Sequence, residues 1–443
     1  MPTIAPERQI HANLQIGRPD GITWEDVTDY LSSASVELGD ISGIGTGQSG
    51  VDGVVRRMTF TLRNDRVLSI LIWPVDGFVS GDRVLSGDGT VDGAATDGSW
   101  LARLLNQEPD YYGDSFAPRD RLSAWNTFNG QYAPLLWPNR EVVLQVAVTD
   151  PGVEPQASDW VTLFHGYLGD SIRTSGPTVT CDARDLAKRL QDAYILTVRE
   201  YGSEAGTPAE DVIQQIIDDN LGADEVRLFF PSGTDIDPRP VSESPGFMVT
   251  PYQVEYMSVW DAIQQVVAQF GWFLGYRWHP NTGRMQLILM EPPRNKDAST
   301  ADFQFSWEDD IYTQDLEITD RDIRNVVTVT YRNAATGDRE SVTVQDADSI
   351  ATYGPRAMQI EEGDASLIDT PEEAQRLANA ALADLKDMTA TTQLNLPLLP
   401  TLDVFSGIVV TDPRVSSTDD FYGVENVRHV LDFEARQFRT EVV

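Results

Sequence analysis

Apolar and polar residues alternate in several short stretches of the first 190 residues, and a period of two predicts β-strands. The segment 54–62, Val-Val-Arg-Arg-Met-Thr-Phe-Thr-Leu, shows this pattern. Further strands are predicted at 34–38, 141–148, 160–169 and 178–181. The more polar segment 182–191 predicts a short helix that closes this part of the chain.

A helical pattern replaces the alternation in the middle of the chain. The residues that recur at helical spacing on one face are Val259, Ala262, Ile263, Val266, Val267 and Phe270. Ser258 is a suitable N-cap for this helix, and Gly271 ends the pattern. The segments 272–278 and 285–290 then predict a hairpin around a turn at 279–284.

Two segments have the sequence of a capping box with proline at the first helical position, namely Thr207-Pro-Ala-Glu and Thr370-Pro-Glu-Glu. The second of them predicts a helix at 371–387. Its buried stripe is formed by Ala374, Leu377, Ala378, Ala381, Leu382 and Leu385.

The last third of the chain returns to short strand patterns. Strands are predicted at 316–318, 326–331, 341–344, 357–360, 392–396, 408–410, 424–431 and 433–442. The whole pattern predicts a mainly β chain with an α+β part. We expect a first β domain at 1–195 with a long insertion at about 74–136, an α+β middle domain at 196–300, and a second β domain at 301–443 that carries the helix 371–387.

Length and composition fit several packed domains without a membrane segment. The chain has 443 residues, which suggests two to four domains. No apolar run approaches the roughly 20 residues that span a bilayer. The first residues contain no basic stretch followed by an apolar one, so we expect a soluble protein without a secretory signal.

The charge is strongly negative. Asp and Glu number 69 against 33 Lys and Arg, a net charge of −36, and only three of the cations are lysines. Such a surface repels phosphate, so we expect no stable binding of nucleic acid. Self-repulsion is screened in molar salt, which favours a high-salt source. A GC-rich genome is the alternative, and it accounts for arginine in place of lysine but not for the excess of acids.

No pattern of catalytic or cofactor-binding residues is present. The four histidines (His11, His165, His279 and His429) are not at metal-ligand spacing, and the glycine-rich segment 43–50 lacks the Lys-Ser/Thr ending of a phosphate-binding loop. Cys181 is the only cysteine and lies in an alternating segment, which predicts a buried strand residue. We therefore expect that the protein is not an enzyme and that it has neither catalytic residues nor a cofactor.

The segment 74–136 contains the candidate binding residues. Asp88, Asp92 and Asp97 offer oxygen ligands for calcium, but their spacing does not fit a calcium loop, and chance clusters are expected in so acidic a chain. The aromatic candidates for a protein interface are Trp100, Tyr111, Tyr112, Trp125 and Phe128. The alternative is that these rings pack the insertion onto its own domain.

Several segments together resemble one protein family. They are Asp26-Val-Thr-Asp-Tyr-Leu, Met58-Thr-Phe-Thr-Leu, Leu163-Phe-His-Gly-Tyr-Leu, Val179-Thr-Cys-Asp-Ala-Arg-Asp-Leu, Ser258-Val-Trp-Asp-Ala-Ile, Arg324-Asn-Val-Val-Thr-Val and Phe421-Tyr-Gly-Val-Glu-Asn-Val. Their order over about 400 residues resembles the tail hub, also called baseplate hub or tail-tip hub, of long-tailed phages and archaeal tailed viruses. The insertion at 74–136 is longer than this resemblance leads us to expect.

The resemblance implies a fold, an assembly and partners. Both β domains would be tail-tube-like barrels, and a homotrimer would place six of them around one axis, adapting the sixfold tail tube to a threefold tip. The expected partners are a tail tube or distal tail ring protein, a tape-measure protein and a central tip or spike protein, with only indirect contact to the host envelope. The protein would be assembled in the host cytoplasm, belong to the virion tail tip or baseplate, and assist genome ejection.

Two other functions remain open from the residues alone. The first is a carbohydrate-binding adhesin that uses the aromatic residues of the insertion. The second is a β-rich carbohydrate-active enzyme built on an acidic pair; such pairs are frequent in a chain with 69 acidic residues.

Overall fold

A computed structural model of the protein describes residues 8–17, 24–38, 55–63, 126–128, 131–133, 136, 138–175, 178–223, 225–291, 298–307, 310–321, 323–333, 335–361, 368, 370–387, 389–404, 406–415 and 417–443. These residues form a mainly β structure with five α-helices. Their cores divide into four clusters of buried apolar side chains.

The first β unit is an antiparallel sheet. Its strands are β1 (Gln9–Gly17), β2 (Trp24–Asp26), β3 (Leu31–Leu38), β4 (Arg56–Arg63), β5 (Asn126–Phe128), β6 (Gln131–Ala133), β7 (Glu141–Thr149), β8 (Trp160–Ser175) and β9 (Thr178–Asp185), followed by the helix α1 (Ala187–Asp192). The strand order is β2-β1-β7-β8-β9-β4-β3, while β5 and β6 form a separate hairpin. Alternating residues such as Phe60 and Val179 point into one core, as the period of two predicts.

Two features of this unit differ from the prediction. The strand β1 was not predicted, although Ile10, Leu14 and Ile16 alternate along it. The predicted helix 182–191 is wrong in its first half, because β9 continues to Asp185 and α1 begins only at Ala187. Residues 178–185 pair with β4 on one side and β8 on the other, and this pairing continues the period of two.

The middle unit packs two longer helices against short strands. Its elements are β10 (Tyr194–Ile195), β11 (Arg199–Tyr201), β12 (Thr207–Pro208), α2 (Ala209–Leu221), β13 (Leu228–Phe229), β14 (Met248–Val249), β15 (Tyr252–Val254), β16 (Met257–Ser258), α3 (Val259–Ala268), β17 (Phe273–His279) and β18 (Arg284–Met290). The predicted hairpin is confirmed as β17 and β18, with the left-handed turn residue Gly283. The apolar faces of α2 and α3 lie in one shared core.

Of the two helix caps predicted in this unit, one is confirmed and the other is wrong. The Ser258 hydroxyl accepts a hydrogen bond from the Asp261 amide at 3.0 Å, which confirms it as the N-cap of α3. The capping box at Thr207 is wrong. Thr207 pairs with Val249 in the β12–β14 ladder, so this pairing keeps the segment extended and makes Pro208 the N-cap of α2.

The last part of the chain contains two separate cores. Its elements are β19 (Phe303–Ser306), β20 (Thr313–Thr319), β21 (Val326–Arg332), β22 (Arg339–Gln345), α4 (Ala347–Tyr353), β23 (Ala357–Glu361), α5 (Pro371–Leu385), β24 (Thr389–Pro397), β25 (Gly407–Asp412), β26 (Ser417–Gly423), β27 (Val427–Asp432) and β28 (Gln437–Val442). We call β19, β20 and β24–β28 the second β unit, and β21–β23 with α4 and α5 the inserted unit. Each has its own core.

The helix predicted at 371–387 is present as α5, with the predicted capping box between Thr370 and Glu373. It packs on the β21–β22 ladder of the inserted unit. The strand ends predicted at 424–431 and 433–442 are corrected to β27 and β28, because residues 433–436 form the turn between them, where Arg436 has a φ of 53°. Among the described residues, no helix has the length and hydropathy needed to cross a membrane.

Candidate functional site: the junction of the units

The two β units share one sheet. Strand β3 of the first unit pairs antiparallel with β27 of the second, from Ser33 opposite Asp432 to Leu38 opposite Val427. The sheet therefore has eleven strands in the order β2-β1-β7-β8-β9-β4-β3-β27-β28-β24-β20. Main-chain hydrogen bonds run across the boundary, so they fix the orientation of one β unit relative to the other.

Apolar side chains cross the same boundary. Leu38 of β3 and Phe273 of β17 are buried in the core of the second β unit. In the other direction, Leu398 and Leu431 are buried in the core of the first β unit. Since both cores contain residues from a neighbouring unit, moving the units apart would expose buried apolar surface.

A buried ion triad joins three units at one point. The carboxylate of Asp403, in the second β unit, accepts hydrogen bonds from Arg56 of β4 and from Arg277 of β17. The Arg277 Nε lies 3.1 Å from Asp403 Oδ2. The side chains of Arg56 and Asp403 are less than one-tenth exposed. The triad links the first β unit, the middle unit and the second β unit through a single carboxylate.

Arg56 has further partners in two of the units. Its Nε donates to the Tyr276 carbonyl at 3.2 Å, and its Nη1 donates to the Leu163 carbonyl at 3.4 Å. Its main-chain amide donates to Asp185 Oδ2 at 2.8 Å, and Asp185 also accepts from the Ala187 amide at 3.0 Å. Because the two carbonyls and the Asp403 carboxylate accept from the guanidinium, the free-energy cost of burying its charge is offset.

The carboxylates at the junction have opposite pKa shifts. Burial raises the pKa of Asp403, but attraction to Arg56 and Arg277 outweighs burial, and the net pKa lies below its ordinary value. Burial raises the pKa of Asp185 to about 7, although the amides of Arg56 and Ala187 oppose that shift. Asp403 is therefore the permanent negative charge of the triad.

His429 of β27 lies fully buried beside this cluster. Its Nδ1 is 3.1 Å from the Thr440 hydroxyl. Burial and the nearby Arg56 charge lower the pKa of His429 to about 4, while Asp403 acts in the opposite direction. The imidazole is consequently neutral at pH 7.

The shared sheet ends in two edges of different length. At one end is β2, with three residues, and at the other is β20, with seven. Strand β20 pairs with β24 on one side only in the described structure. Tyr312, just before it, and Ile318, within it, are exposed large hydrophobic residues. A long edge strand with exposed apolar side chains is suited to pairing with another chain.

Most of the predicted binding residues lie outside the described structure. These are Asp88, Asp92 and Asp97, the calcium candidates, and Trp100, Tyr111, Tyr112 and Trp125, the aromatic candidates. The main chain of Phe128 lies in β5, but its side chain is not described. Their roles remain predictions.

The other residues considered in the sequence are dispersed. His11 and Thr149 contact each other at 3.0 Å, His165 and Glu141 at 2.6 Å, and His279 contacts the Phe230 carbonyl at 3.1 Å. Cys181 is buried as predicted, and burial raises its pKa to about 12. Within the described ranges, no group of three or more His, Cys, Asp or Glu side chains is placed to hold a metal ion.

The ion triad was missed by the sequence analysis, and a weak signal for it exists. Asp403 stands between the apolar residues of Leu402-Asp-Val404, and Arg277 interrupts the apolar strand Phe273-Leu-Gly-Tyr-Arg-Trp. A charge inside an apolar segment must be paired if the segment is buried. That rule predicts a partner but does not say which of the many opposite charges it is.

No protein-family model and no curated protein sequence matches this chain. Solved structures of tail proteins share its fold, among them the following two. The tail protein from Neisseria meningitidis MC58 aligns over 98% of this chain and 95% of its own, with 11% identity and a TM-score of 0.54. The 43 kDa tail protein of prophage MuSo2 from Shewanella oneidensis aligns over 98% of both chains, with 11% identity and a TM-score of 0.51.

These alignments cover nearly the whole length of each chain, including both β units and the middle unit. At 11% identity they establish the fold and leave the residues of any site untested. The chain therefore has the fold of phage tail proteins, with mainly β structure and a large antiparallel sheet.

Proposed function

We propose that this chain is a structural virion protein that forms a trimeric tail hub. Three copies would place six β units around one axis and so adapt a sixfold tail tube to a threefold tip or baseplate. The observation that carries this proposal is the eleven-stranded sheet, in which one chain holds two β units side by side. The tail-protein fold supports the same conclusion.

The proposal requires the two β units to act as one rigid body. The β3–β27 ladder, the shared cores and the triad around Asp403 supply three independent connections between them. We propose domain boundaries at 1–195, 196–300 and 301–443, with both β domains being tail-tube-like barrels. The inserted unit (326–385) would then be a projection from the second barrel.

The partners follow from this position in a tail. We propose a tail tube or distal tail ring protein on one face, a central tip or spike protein on the other, and a tape-measure protein in the lumen. The protein would be located at the tail tip or baseplate of the virion, after assembly in the host cytoplasm. Its role in genome delivery is to line the exit, which needs no catalytic residue.

The edge strand β20 is the proposed contact between copies. The change Ile318→Asp would place a further carboxylate at a contact between chains that each carry a net charge of −36, and is expected to weaken trimer formation at least tenfold, or about 1.4 kcal/mol. Ile318 is 61% exposed, so the fold of the single chain should be unchanged.

Sedimentation velocity across a concentration series measures this effect. The matched control is Ile236→Asp, because Ile236 is 96% exposed and lies in the middle unit. The control is expected to assemble like the wild type. Equal assembly of both variants and the wild type would exclude β20 as the contact between copies. A chain that stays monomeric even with its tail neighbours present would contradict the proposal of a trimeric hub.

A further inference from the structure

A short ribbon in the middle unit has an irregular register. Tyr194 and Ile195 pair with Ser258 and Met257, and Arg199 pairs with Val254. Three residues (196–198) thus separate the two ladders on one strand, against two (255–256) on the other. The two ladders are therefore separate, and the unpaired residues between them form an irregular segment of the ribbon.

This ribbon carries four exposed large apolar side chains. Tyr194, Leu196, Val198 and Tyr256 are 60%, 69%, 54% and 73% exposed, and we call this group the apolar ribbon face. In contrast, Ile195, Tyr201, Tyr252 and Val254 of the same two strands are buried in the core of the middle unit. Single exposed apolar residues are ordinary, but four on one short ribbon are a candidate contact surface.

Tyr256 also has an unfavourable backbone. Its φ is 50°, a left-handed conformation that bulky residues rarely adopt. Such a conformation costs on the order of 1 kcal/mol or more, and it persists where the surroundings fix it, often at functional sites. Tyr256 lies in the irregular segment between the two ladders, and most of its side chain is exposed to solvent.

The charges beside the face are acidic. Glu200 and Glu255 are exposed and lie next to Val198 and Tyr256 on the two strands. The neighbouring cation, Arg199, forms an ion pair with Asp219 at 3.4 Å. A complementary surface would be apolar in its centre and positively charged at its rim. A second copy of this chain, with a net charge of −36, does not supply that rim.

We propose that the apolar ribbon face binds an extended apolar segment, flanked by Lys or Arg, of a different protein. In the described structure β10 and β11 each pair with one strand only, so such a segment can also add to the ribbon edge. This site is separate from the proposed contact at β20 and does not depend on trimer formation.

Fluorescence anisotropy with a labelled peptide, Lys-Lys-Leu-Val-Ile-Leu-Lys-Lys, tests the proposal on the full chain. Binding is expected for the wild type, and the double variant Leu196→Ser/Tyr256→Ser is expected to bind at least tenfold more weakly. Glu200→Gln/Glu255→Gln should weaken binding severalfold. The matched control, Ile236→Ser/Val241→Ser, removes two aliphatic residues of the same unit that are more exposed, at 96% and 89%, and should bind like the wild type.

Two further peptides separate the proposed chemistry from general attraction to an acidic protein. Replacing the four lysines by glutamate, or the four apolar residues by serine, should abolish binding. Equal binding to the wild type and the Leu196→Ser/Tyr256→Ser variant would overturn the proposal. It would also be overturned if that variant, with an unchanged melting curve, lost self-association in sedimentation, because the occupant would then be a second copy.

Discussion

At the scale of single residues, Asp403 is the acceptor that two buried cations share. Arg56 and Arg277 come from different units, and both side chains are largely buried. Removing the carboxylate charge would leave two guanidinium groups without their counterion in a region of low dielectric. Such a loss is far larger than the loss of a surface pair.

We predict that Asp403→Asn destabilises the chain by about 3–5 kcal/mol, the range for breaking a buried ion pair. Denaturant unfolding followed by circular dichroism measures the change. The matched control is Asp320→Asn, which breaks an exposed pair with Arg356. The control should unfold close to the wild type. Similar midpoints for the two variants would contradict the role given to the triad.

His429 gives the junction a pH dependence of known sign. Its pKa is about 4 in the folded protein, below the ordinary value of 6.5. The unfolded chain therefore takes up a proton between these values while the folded protein does not. The stability contributed by neutral His429 is present above pH 6.5 and is lost as the pH falls toward 4.

We predict that the stability advantage of the wild type over His429→Asn falls by about 3 kcal/mol between pH 7 and pH 4. Asp403 has a pKa below its ordinary value and stays charged for most of this range, so it contributes equally to both proteins. Unfolding free energies at four pH values measure the difference. An advantage that does not change with pH would show that His429 is protonated or solvated in the folded state.

Sequence reasoning located few of these residues. It placed Cys181 and His429 in strands correctly, because alternation reports burial. The partnership of Arg56 with Asp403 joins positions 347 residues apart. Local patterns carry no information about such a pair, and 69 acidic residues offer too many alternative partners.

At the scale of elements, capping residues and periodicity predicted those helix ends and buried helix faces that depend on neighbouring residues of the sequence. The caps at Ser258 and Thr370 are present. Of the stripe predicted for α5, Ala374, Leu377, Ala378 and Ala381 are buried, whereas Leu382 and Leu385 are only partly buried. The helix α4 was not predicted because Ser349 is its only buried residue, so it has no apolar stripe. The predicted cap at Thr207 is absent because Thr207 pairs with Val249, and this contact with a distant residue outweighs the local capping sequence.

We predict that Thr370→Ala lowers the stability of the inserted unit by about 1 kcal/mol, the usual cost of losing an N-cap. The Thr370 hydroxyl accepts from the Glu373 amide at 3.3 Å, and this bond would be lost, whereas the reciprocal bond from the main-chain amide of residue 370 to the Glu373 carboxylate does not use the Thr370 side chain. Hydrogen exchange of the α5 amides measures the effect. Thr352→Ala, which removes a hydroxyl from α4 without removing a cap, should leave α5 exchange unchanged. Equal protection of α5 in both variants would contradict the capping role.

At the scale of the whole molecule, net charge and assembly are coupled. Three copies of a chain with a charge of −36 repel one another strongly in dilute buffer. Salt near 3 M reduces the screening length to about 3 Å or less, so repulsion between copies largely disappears. A trimer of this chain would therefore be favoured in a high-salt source.

We predict that the melting temperature of the chain and the fraction of trimer both rise as KCl increases from about 0.1 M to about 3 M. Differential scanning fluorimetry and sedimentation in the same buffers measure the two quantities. Sucrose at matched viscosity controls for solvent effects unrelated to charge. A melting temperature that stays constant or falls with KCl would remove the argument for a high-salt source.

Many strands and helices along the chain were predictable from periodicity, but the pairing of distant strands was not. The sequence indicates strands near 34–38 and 424–431, and nothing in either segment states that they pair. Edge pairing between distant strands depends on the three-dimensional positions of the sheets. For the same reason the separate core of the inserted unit became visible only in the structure.

Electron cryomicroscopy of the chain assembled in high salt tests the central claim most directly. The account predicts threefold particles with three times the 49.1 kDa mass of one chain, in which six β units surround one open lumen and the β3–β27 pair lies within each subunit. Particles with twofold symmetry, or threefold particles whose first and second β units lie at unequal distances from the axis, would contradict it.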